Sequence, residues 1–444
     1  MPQVPLHASP GRMFLAAIVG TIILGGLLLS LPAAQAEPLA FFDVLFTATS
    51  ATCVTGMLTI PLHAFTFFGK IVILSLIQMG GLGLITLTVF FISIFFNVGI
   101  KTHLMAGQLM ELESWKNSKR LIKFIISLTV AVELVGAIAL YYVLPTTSQN
   151  TPAWFSALFH SISSFCSAGI SILDMPLTAL QYNIGFLTVT ATLMLVGQLG
   201  FITWHELAAY GKSILQKKRY KLSLHSKLVL SVSTGLIIIS GIFFLLCEWH
   251  QMSGGVGIKL FNALYNAIGL RSCGFNTLPV YSLQPATLLL IMIICFIGSS
   301  AGSTGGGIKN TSVAVLFAVC RSVTSGKNHI EIRGRTIPTD QVMKVVSVFT
   351  LALIWIIFTT FILLITEPFY NELAFLDLLF EAVSAFANLG LSRGITPLLS
   401  PLGKSIILIS MILGRIGALT LILSLKKHKD KQEFYYPAER IMLS

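Results

Sequence analysis

The chain has 444 residues, of which 55% are hydrophobic and only 10% charged, with a formal net charge of +12. Soluble domains carry about 25% charged residues, so this composition excludes an ordinary soluble protein and predicts one that crosses a bilayer many times. The positive balance needs no nucleic acid to explain it, because its distribution along the chain follows a membrane topology.

In chain order, apolar segments suited to bilayer-spanning helices lie at 13–31, 68–96, 122–144, 183–203, 226–247, 285–320 with an interruption, 343–366 and 403–425. The first follows Arg12 and precedes Ala33 to Ala36 (AAQA), which imitates a secretory signal. Its apolar run of about 19 residues exceeds the roughly 7–15 of a signal core, and it is read as a retained helix. Basic residues then set the orientation. Arg12 precedes the first span, five lie between Lys101 and Lys123, six between Lys212 and Lys227, six between Lys309 and Lys344, and five between Lys426 and Arg440. This puts 23 of the 29 Lys and Arg on one side of the membrane. By the positive-inside rule that side, with both termini, is expected to be cytoplasmic. The six cysteines (Cys53, Cys166, Cys247, Cys273, Cys295, Cys320) form no metal-type CxxC pair and read as buried free thiols.

The connections on the sparsely charged side repeat. They run FFDVLFTATSATCVTGM (Phe41 to Met57), WFSALFHSISSFCSAGI (Trp154 to Ile170), LFNALYNAIGLRSCGFN (Leu260 to Asn276) and FLDLLFEAVSAFANLGL (Phe375 to Leu391). Each starts with an aromatic-rich amphipathic stretch and ends at a glycine: Gly56, Gly169, Gly274 and Gly390. An aromatic lies ten positions earlier in units one, two and four (Phe46, Phe159, Phe380) and nine earlier in unit three (Tyr265). Ser50, Ser163 and Ser384 lie six before the glycine in the same three units. Such segments are too short to cross, and non-helical backbone at membrane depth survives only when buried in protein or lining a wet cavity. Four of them around an axis would turn carbonyl oxygens inward to replace the hydration shell of a cation. Glycine permits the positive φ and close approach this needs, and the C-terminal dipole ends of the short helices favour a cation.

This arrangement, TATCVTG in the first unit especially, resembles the pore loops of the Trk/Ktr/HKT potassium transporter superfamily. Further marks are LIQMGGLGLITL (Leu76 to Leu87), GLRSCGFN, SSAGSTGGGIKNTS, LGRIGALTL (Leu413 to Leu421) and the tail YYPAERIML. The resemblance covers nearly the whole chain and is greatest to KtrB-type membrane subunits. It implies potassium uptake, with sodium as an activator, through a pore in each protomer of a homodimer in the bacterial plasma membrane. It further implies a cytosolic ring of KtrA-type regulatory subunits binding ATP, ADP or NAD, with no nucleic acid and no covalently bound cofactor.

The expected fold is thus an all-α polytopic membrane protein. Eight transmembrane helices form four helix–pore-loop–helix repeats around a pseudo-fourfold pore, the second helix of the third repeat being broken by a Gly-rich intramembrane loop. Residues 1–12 are assigned to a cytoplasmic N-terminus, 13–100, 101–212, 213–330 and 331–425 to the repeats, and 426–444 to a cytoplasmic tail. The candidate filter residues are Thr52, Cys53, Val54, Thr55 and Gly56; Cys166, Ser167, Ala168 and Gly169; Ser272, Cys273 and Gly274; and Ala387, Asn388, Leu389 and Gly390. They would hold potassium by backbone carbonyls. The filter is chemically uneven: Ala168 and Leu389 precede the glycine where unit one has Thr55, and Arg271 lies beside the third segment.

Within the sixth span, CFIGSSAGSTGGGIKNTSVAV (Cys295 to Val315) admits three readings. As a P-loop it fails, because Ile308 separates Gly307 from Lys309, Asn310 replaces Ser/Thr, and no strand precedes it. A linker also fails, because the apolar run before it gives only about 20 Å of helix, short of a ~30 Å core. The remaining reading is a broken helix with a polar middle at membrane depth. It is taken as a gating loop over 298–310, comprising Gly302, Ser303, Thr304, Gly305, Gly306, Gly307 and Lys309. Arg415, a charge inside the last apolar run, is expensive there and usually functional or paired. It is read as a fixed charge at the gate, the competing reading being an ion pair with Glu206.

Asp43 and Glu381 are expected at the external mouth, concentrating cations or serving as capping or solvated groups. His160 reads as a hydrogen-bonded core residue. KKRYKLSLHSK (Lys217 to Lys227) is expected to set orientation, with membrane lipid or a regulatory subunit as possible partners. A proton- or sodium-coupled TrkH-like transporter and an alternating-access carrier remain alternative functions. A membrane enzyme lacks the convergent His and acidic residues it would need.

Overall fold

Long apolar helices alternate with short ones along the chain. The computed structural model describes residues 10–82, 115–145, 151–218, 220–327, 329–367 and 375–417. Helices α1 (Pro10–Leu29), α2 (Phe41–Cys53) and α3 (Phe67–Gly81) come first, then α4 (Trp115–Val143), α5 (Ala153–Cys166), α6 (Ile184–Gln198) and α7 (Phe201–Leu215). They are followed by α8 (Leu224–Glu248), α9 (Val256–Gly269), α10 (Pro285–Phe296) and α11 (Asn310–Thr324). A two-stranded hairpin, β1 (Glu331–Ile332) and β2 (Arg335–Thr336), leads to α12 (Thr339–Thr366), α13 (Phe375–Ala387) and α14 (Pro401–Ile416). The second half of the span read at 68–96, the end of that read at 403–425, and the tail lie outside the described residues.

The chemistry at the helix starts explains their boundaries. Thr66, Asn183, Ser223 and Ser400 are N-caps whose side chains accept from the backbone N–H groups of Gly69, Phe186, Ser226 and Gly403 at 3.1–3.3 Å. Each such cap contributes about 1 kcal/mol. At 1.5 Å per residue, the 29, 25 and 28 residues of α4, α8 and α12 exceed a ~30 Å apolar core. Their outward faces stay apolar, as at Leu134, Ile238 and Ile357 (53%, 54% and 66% exposed). This is the surface of a membrane protein, whose exterior solvent is hydrocarbon.

The span read as continuous over 183–203 is instead bent by 99° between α6 and α7. Gly200 takes φ +85 at the bend, and the next N–H, on Phe201, donates to Gly302 O at 2.9 Å. A hydrogen bond to a distant loop ends the helix, which local apolarity does not reveal. The hairpin was likewise not expected from an all-α reading; it is made by the positive-φ pair Arg333 and Gly334 (φ +50 and +75).

The short helices α2, α5, α9 and α13 are anchored inside. Phe46, Phe159, Tyr265 and Phe380, the aromatic of each repeated segment, are 0–1% exposed. Helix α1 joins the same interior, with Ile18 and Ile22 buried in one cluster with Phe46, Ile407 and Met411.

Candidate ion pathway

Three of the short helices end alike. Val54, Ser167 and Asn388 follow α2, α5 and α13 in the left-handed conformation (φ +56, +61 and +52). The next residues, Thr55, Ala168 and Leu389, donate their N–H back to Ser50 O, Ser163 O and Ser384 O at 2.8–3.0 Å. This is Schellman-type closure, without the usual glycine. A β-branched Val54 in this region is an outlier of the kind that persists only where the surroundings over-determine it.

The serine six residues before each glycine secures the returning backbone. Ser163 Oγ donates to Ile170 O (2.7 Å) and accepts from Ile170 N (3.1 Å). Ser384 Oγ donates to Leu391 O (2.6 Å), and Ser50 Oγ accepts from Gly56 N (3.0 Å). Unit three lacks the serine; there the returning chain is held by Asn266, directly after the aromatic, whose Oδ1 accepts from Thr277 N and whose Nδ2 donates to Thr277 Oγ1, both at 2.9 Å. Asn266→Ala leaves the buried Thr277 N–H unpartnered at a cost of about 1–3 kcal/mol. The expected result is a lower apparent Tm of the purified protein in detergent, and an unchanged Tm contradicts this role.

The four glycines close a ring. A side chain on Gly56 would strike the carbonyl oxygen of Ala168, one on Gly169 that of Cys273, one on Gly274 that of Leu389, and one on Gly390 that of Thr55. Each glycine therefore abuts the residue preceding the next glycine in chain order, and the fourth contact returns to the first segment. All four glycines have positive φ, between +67 and +98. Asn388 Nδ2 crosses from the fourth segment to donate to Thr55 Oγ1 (2.7 Å) and also to Met411 O (3.0 Å). Thr52, Cys53, Cys166 and Ala387 lie in the last turns of their helices, and all sixteen candidate residues are buried except the half-buried Gly56, Gly169, Gly274 and Gly390.

Between α10 and α11 the chain leaves the helix at Ile297 and resumes it at Asn310. This loop touches three of the four segments. Thr304 Oγ1 donates to Phe165 O (3.0 Å) and lies 3.4 Å from Ser167 Oγ; its N–H donates to Gly197 O (3.2 Å). Gly306 N donates to Ser272 Oγ (3.0 Å), and a side chain at Gly306 would strike Asn388. Ser303 Oγ lies 2.7 Å from both Ser299 Oγ and Ser300 O, and Lys309 Nζ donates to Gly305 O (2.9 Å). Gly302 and Gly307 take positive φ (+69 and +74).

Arg415 is bonded to backbone, not to Glu206. Its Nη1 donates to Thr304 O and its Nη2 to Gly80 O, joining the loop to α3. Glu206 instead accepts from Ser223 N at 3.0 Å. The acids expected at the external mouth are also engaged: Asp43 pairs with Lys404 (2.9 Å), and Glu381 is fully buried, accepting from the Thr396 hydroxyl. His160 is buried, with Ser156 O and Ser171 Oγ at 2.8 and 2.9 Å from its ring nitrogens.

A further set of positions escaped the reading of the sequence. Gly80, Gly197 and Gly414, on α3, α6 and α14, lie against the carbonyls of Thr52, Phe165 and Phe386, each four residues before a ring glycine. The signal is a second repeat, GGLG at 80–83, GQLG at 197–200 and GRIG at 414–417. It brings Gly81, Gln198 and Arg415 into register.

The comparisons with known proteins agree on one family. A family model described as TrkH, cation transport protein, matches residues 12–435. The potassium/sodium uptake protein NtpJ of Enterococcus hirae is 33% identical, over 99% of this chain and 98% of that protein. The Ktr system potassium uptake protein B of Bacillus subtilis is 32% identical, over 97% and 95%. In fold, the chain matches the potassium transporter TrkH of Vibrio parahaemolyticus with a TM-score of 0.71 at 20% identity, covering 94% of this chain and 85% of that one.

Proposed function

Because the chain belongs to the TrkH family of cation transport proteins, within the Trk/Ktr superfamily and similar to KtrB, we propose that it takes up potassium across the bacterial plasma membrane. The observation that carries this reading is the cyclic contact of Gly56, Gly169, Gly274 and Gly390 with the carbonyls of Ala168, Cys273, Leu389 and Thr55. In this reading residues 13–100, 101–212, 213–330 and 331–425 are four pore repeats of eight membrane helices, and the ring is their selectivity filter. A dehydrated K⁺ exchanges its water shell for carbonyl oxygens there. The buried ends of α2, α5 and α13 and of α9 direct their negative dipole ends toward the ion.

The loop at 297–309 is the gate. It blocks the path while Thr304 and the Arg415 guanidinium keep their backbone partners and Gly306 N keeps the Ser272 hydroxyl, and the glycines allow it to move once those bonds break. One glycine per segment makes few well-formed carbonyl rings, so moderate discrimination between K⁺ and Na⁺ follows. The positions of 23 of the 29 basic residues support cytoplasmic termini. The Ktr-system name of the Bacillus relative supports a Ktr-system partner arrangement; in this reading that arrangement is a homodimer regulated by a KtrA-type cytosolic ring binding ATP, ADP or NAD, with Na⁺ as activator. The chemistry is ion transfer, with no covalent step.

The test is uptake of K⁺ and Na⁺ by a bacterial strain lacking its own K⁺ uptake systems. Expression of this chain with a KtrA-type partner is expected to restore growth at low external K⁺. Failure to move K⁺ with or without such a partner overturns the reading.

A further inference from the structure

One face of α8 has an order of chemistry that the ion pathway does not use. At successive turns it presents Lys227, Ser231, Thr234 beside Gly235, Ile238 and Ile242. Lys227, Ser231 and Thr234 are exposed, and Ile238 and Ile242 are 54% and 52% exposed. At Gly235 a side chain would meet nothing within 4 Å, so the face is notched there. Near its first turns lies Arg333, which with Gly334 (both left-handed) makes the tight turn of the hairpin that matches the twist of paired strands. Arg333 lines a shallow, open cavity of about 450 Å³ with Lys227, Leu230, Ser231, Thr234 and Gly235. Behind it, Arg333 also lines a second cavity of about 230 Å³ with Arg321 and Lys327, the latter paired with Glu331 at 3.1 Å.

Charge, then hydroxyl, then notch, then apolar face is the order of parts in a glycerophospholipid. From Ser231 to Ile242 the helix rises about 16 Å at 1.5 Å per residue, close to half of a ~30 Å bilayer core. A free phosphate would use the basic end and leave the notch and isoleucines without purpose. Arg321 and Arg333 add positive potential at the level of the headgroup, which favours an anionic lipid over a zwitterionic one.

We propose that this groove binds one anionic glycerophospholipid, with its phosphate between Lys227 and Arg333, its ester region against Ser231 and Thr234, and an acyl chain in the notch at Gly235. The proposal rests on the reading that α8 begins at the cytoplasmic face. Its test does not depend on transport, so the two fail separately.

Full-length protein in detergent is incubated with phosphatidylglycerol or phosphatidylcholine, and retained lipid is counted by native mass spectrometry. The wild type is expected to keep one phosphatidylglycerol with at least about tenfold preference, and Lys227→Gln with Arg333→Gln to abolish that preference. Gly235→Leu, which leaves every charge in place, is expected to weaken retention, whereas Lys212→Gln is not. Monodisperse gel filtration of each variant separates these outcomes from misfolding. Equal retention of the two lipids, or undiminished retention by the double variant, overturns the proposal. So does release by inorganic phosphate with no effect of Gly235→Leu, which assigns a phosphate site. A disulfide-linked dimer formed by Gly235→Cys also overturns it and assigns the face to a second copy.

Discussion

Gly56→Ser and Gly274→Ser are each expected to lower K⁺ uptake at least about tenfold and to lower the K⁺/Na⁺ uptake ratio. Both glycines have positive φ (+98 and +70), and any Cβ would strike the carbonyl of Ala168 or Leu389. A side chain in this conformation costs of order 1–3 kcal/mol, before the overlap is relieved. The overlap can be relieved only by moving a carbonyl that belongs to the neighbouring segment, so one substitution distorts two of the four. A shift of 1.4 kcal/mol in the stability of the bound ion or its transition state is tenfold in rate. Potassium suffers more than sodium, because a ring that has lost its size no longer compensates dehydration selectively. Gly211→Ser is the matched control, since a side chain there meets nothing within 4 Å. Paired ⁸⁶Rb⁺ and ²²Na⁺ uptake in the same cells checks the result. Ring variants that behave like Gly211→Ser would remove the four segments from the path.

The second large effect is expected at Arg415. Arg415→Gln should raise K⁺ uptake velocity several-fold at equal expression. The guanidinium holds Thr304 O on the loop and Gly80 O on α3, and hydrogen bonds from charged donors contribute about 1.5–3 kcal/mol each. Their combined loss favours the released loop by roughly two to four orders of magnitude, and in the gate reading it also removes a positive charge from a low-dielectric path for cations. Remaining ties, such as Gly306 N to Ser272 Oγ, keep the loop from becoming structureless. Arg415→Lys separates the two causes. Lysine keeps the charge but not the planar fork, so velocity between wild type and glutamine assigns the effect to the tether. Uptake below wild type in Arg415→Gln, with normal expression, contradicts the gate reading.

Much of this was legible in the residues. The short helices overlap the four segments recognised by their aromatics and terminal glycines, the third starting four residues earlier at Val256, and α10 and α11 are separated where polar and glycine residues replace apolar ones. Both signals are local: apolar periodicity, and a cost of burial that polar residues cannot meet inside hydrocarbon. What the sequence withheld depends on contacts between distant parts. The bend at Gly200 is set by the bond from Phe201 to Gly302. Asp43 lost its place as a free external charge to Lys404, and Glu381 to burial beside Thr396. The choice between a partner carboxylate and backbone carbonyls for Arg415 also needed the third dimension. The GxxG repeat carrying Arg415 was visible all along, but its meaning depends on knowing that Gly80, Gly197 and Gly414 pack against the carbonyls above them.

The central claim is that the carbonyls of Thr55, Ala168, Cys273 and Leu389 jointly hold the transported ion. The most direct measurement is anomalous scattering from crystals of the protein grown in Rb⁺ or Tl⁺. The account predicts a peak on the axis of the ring, level with those four oxygens and lost when Na⁺ replaces the heavier ion. Density for the heavy ion elsewhere in the protein, with none inside the ring, would contradict it.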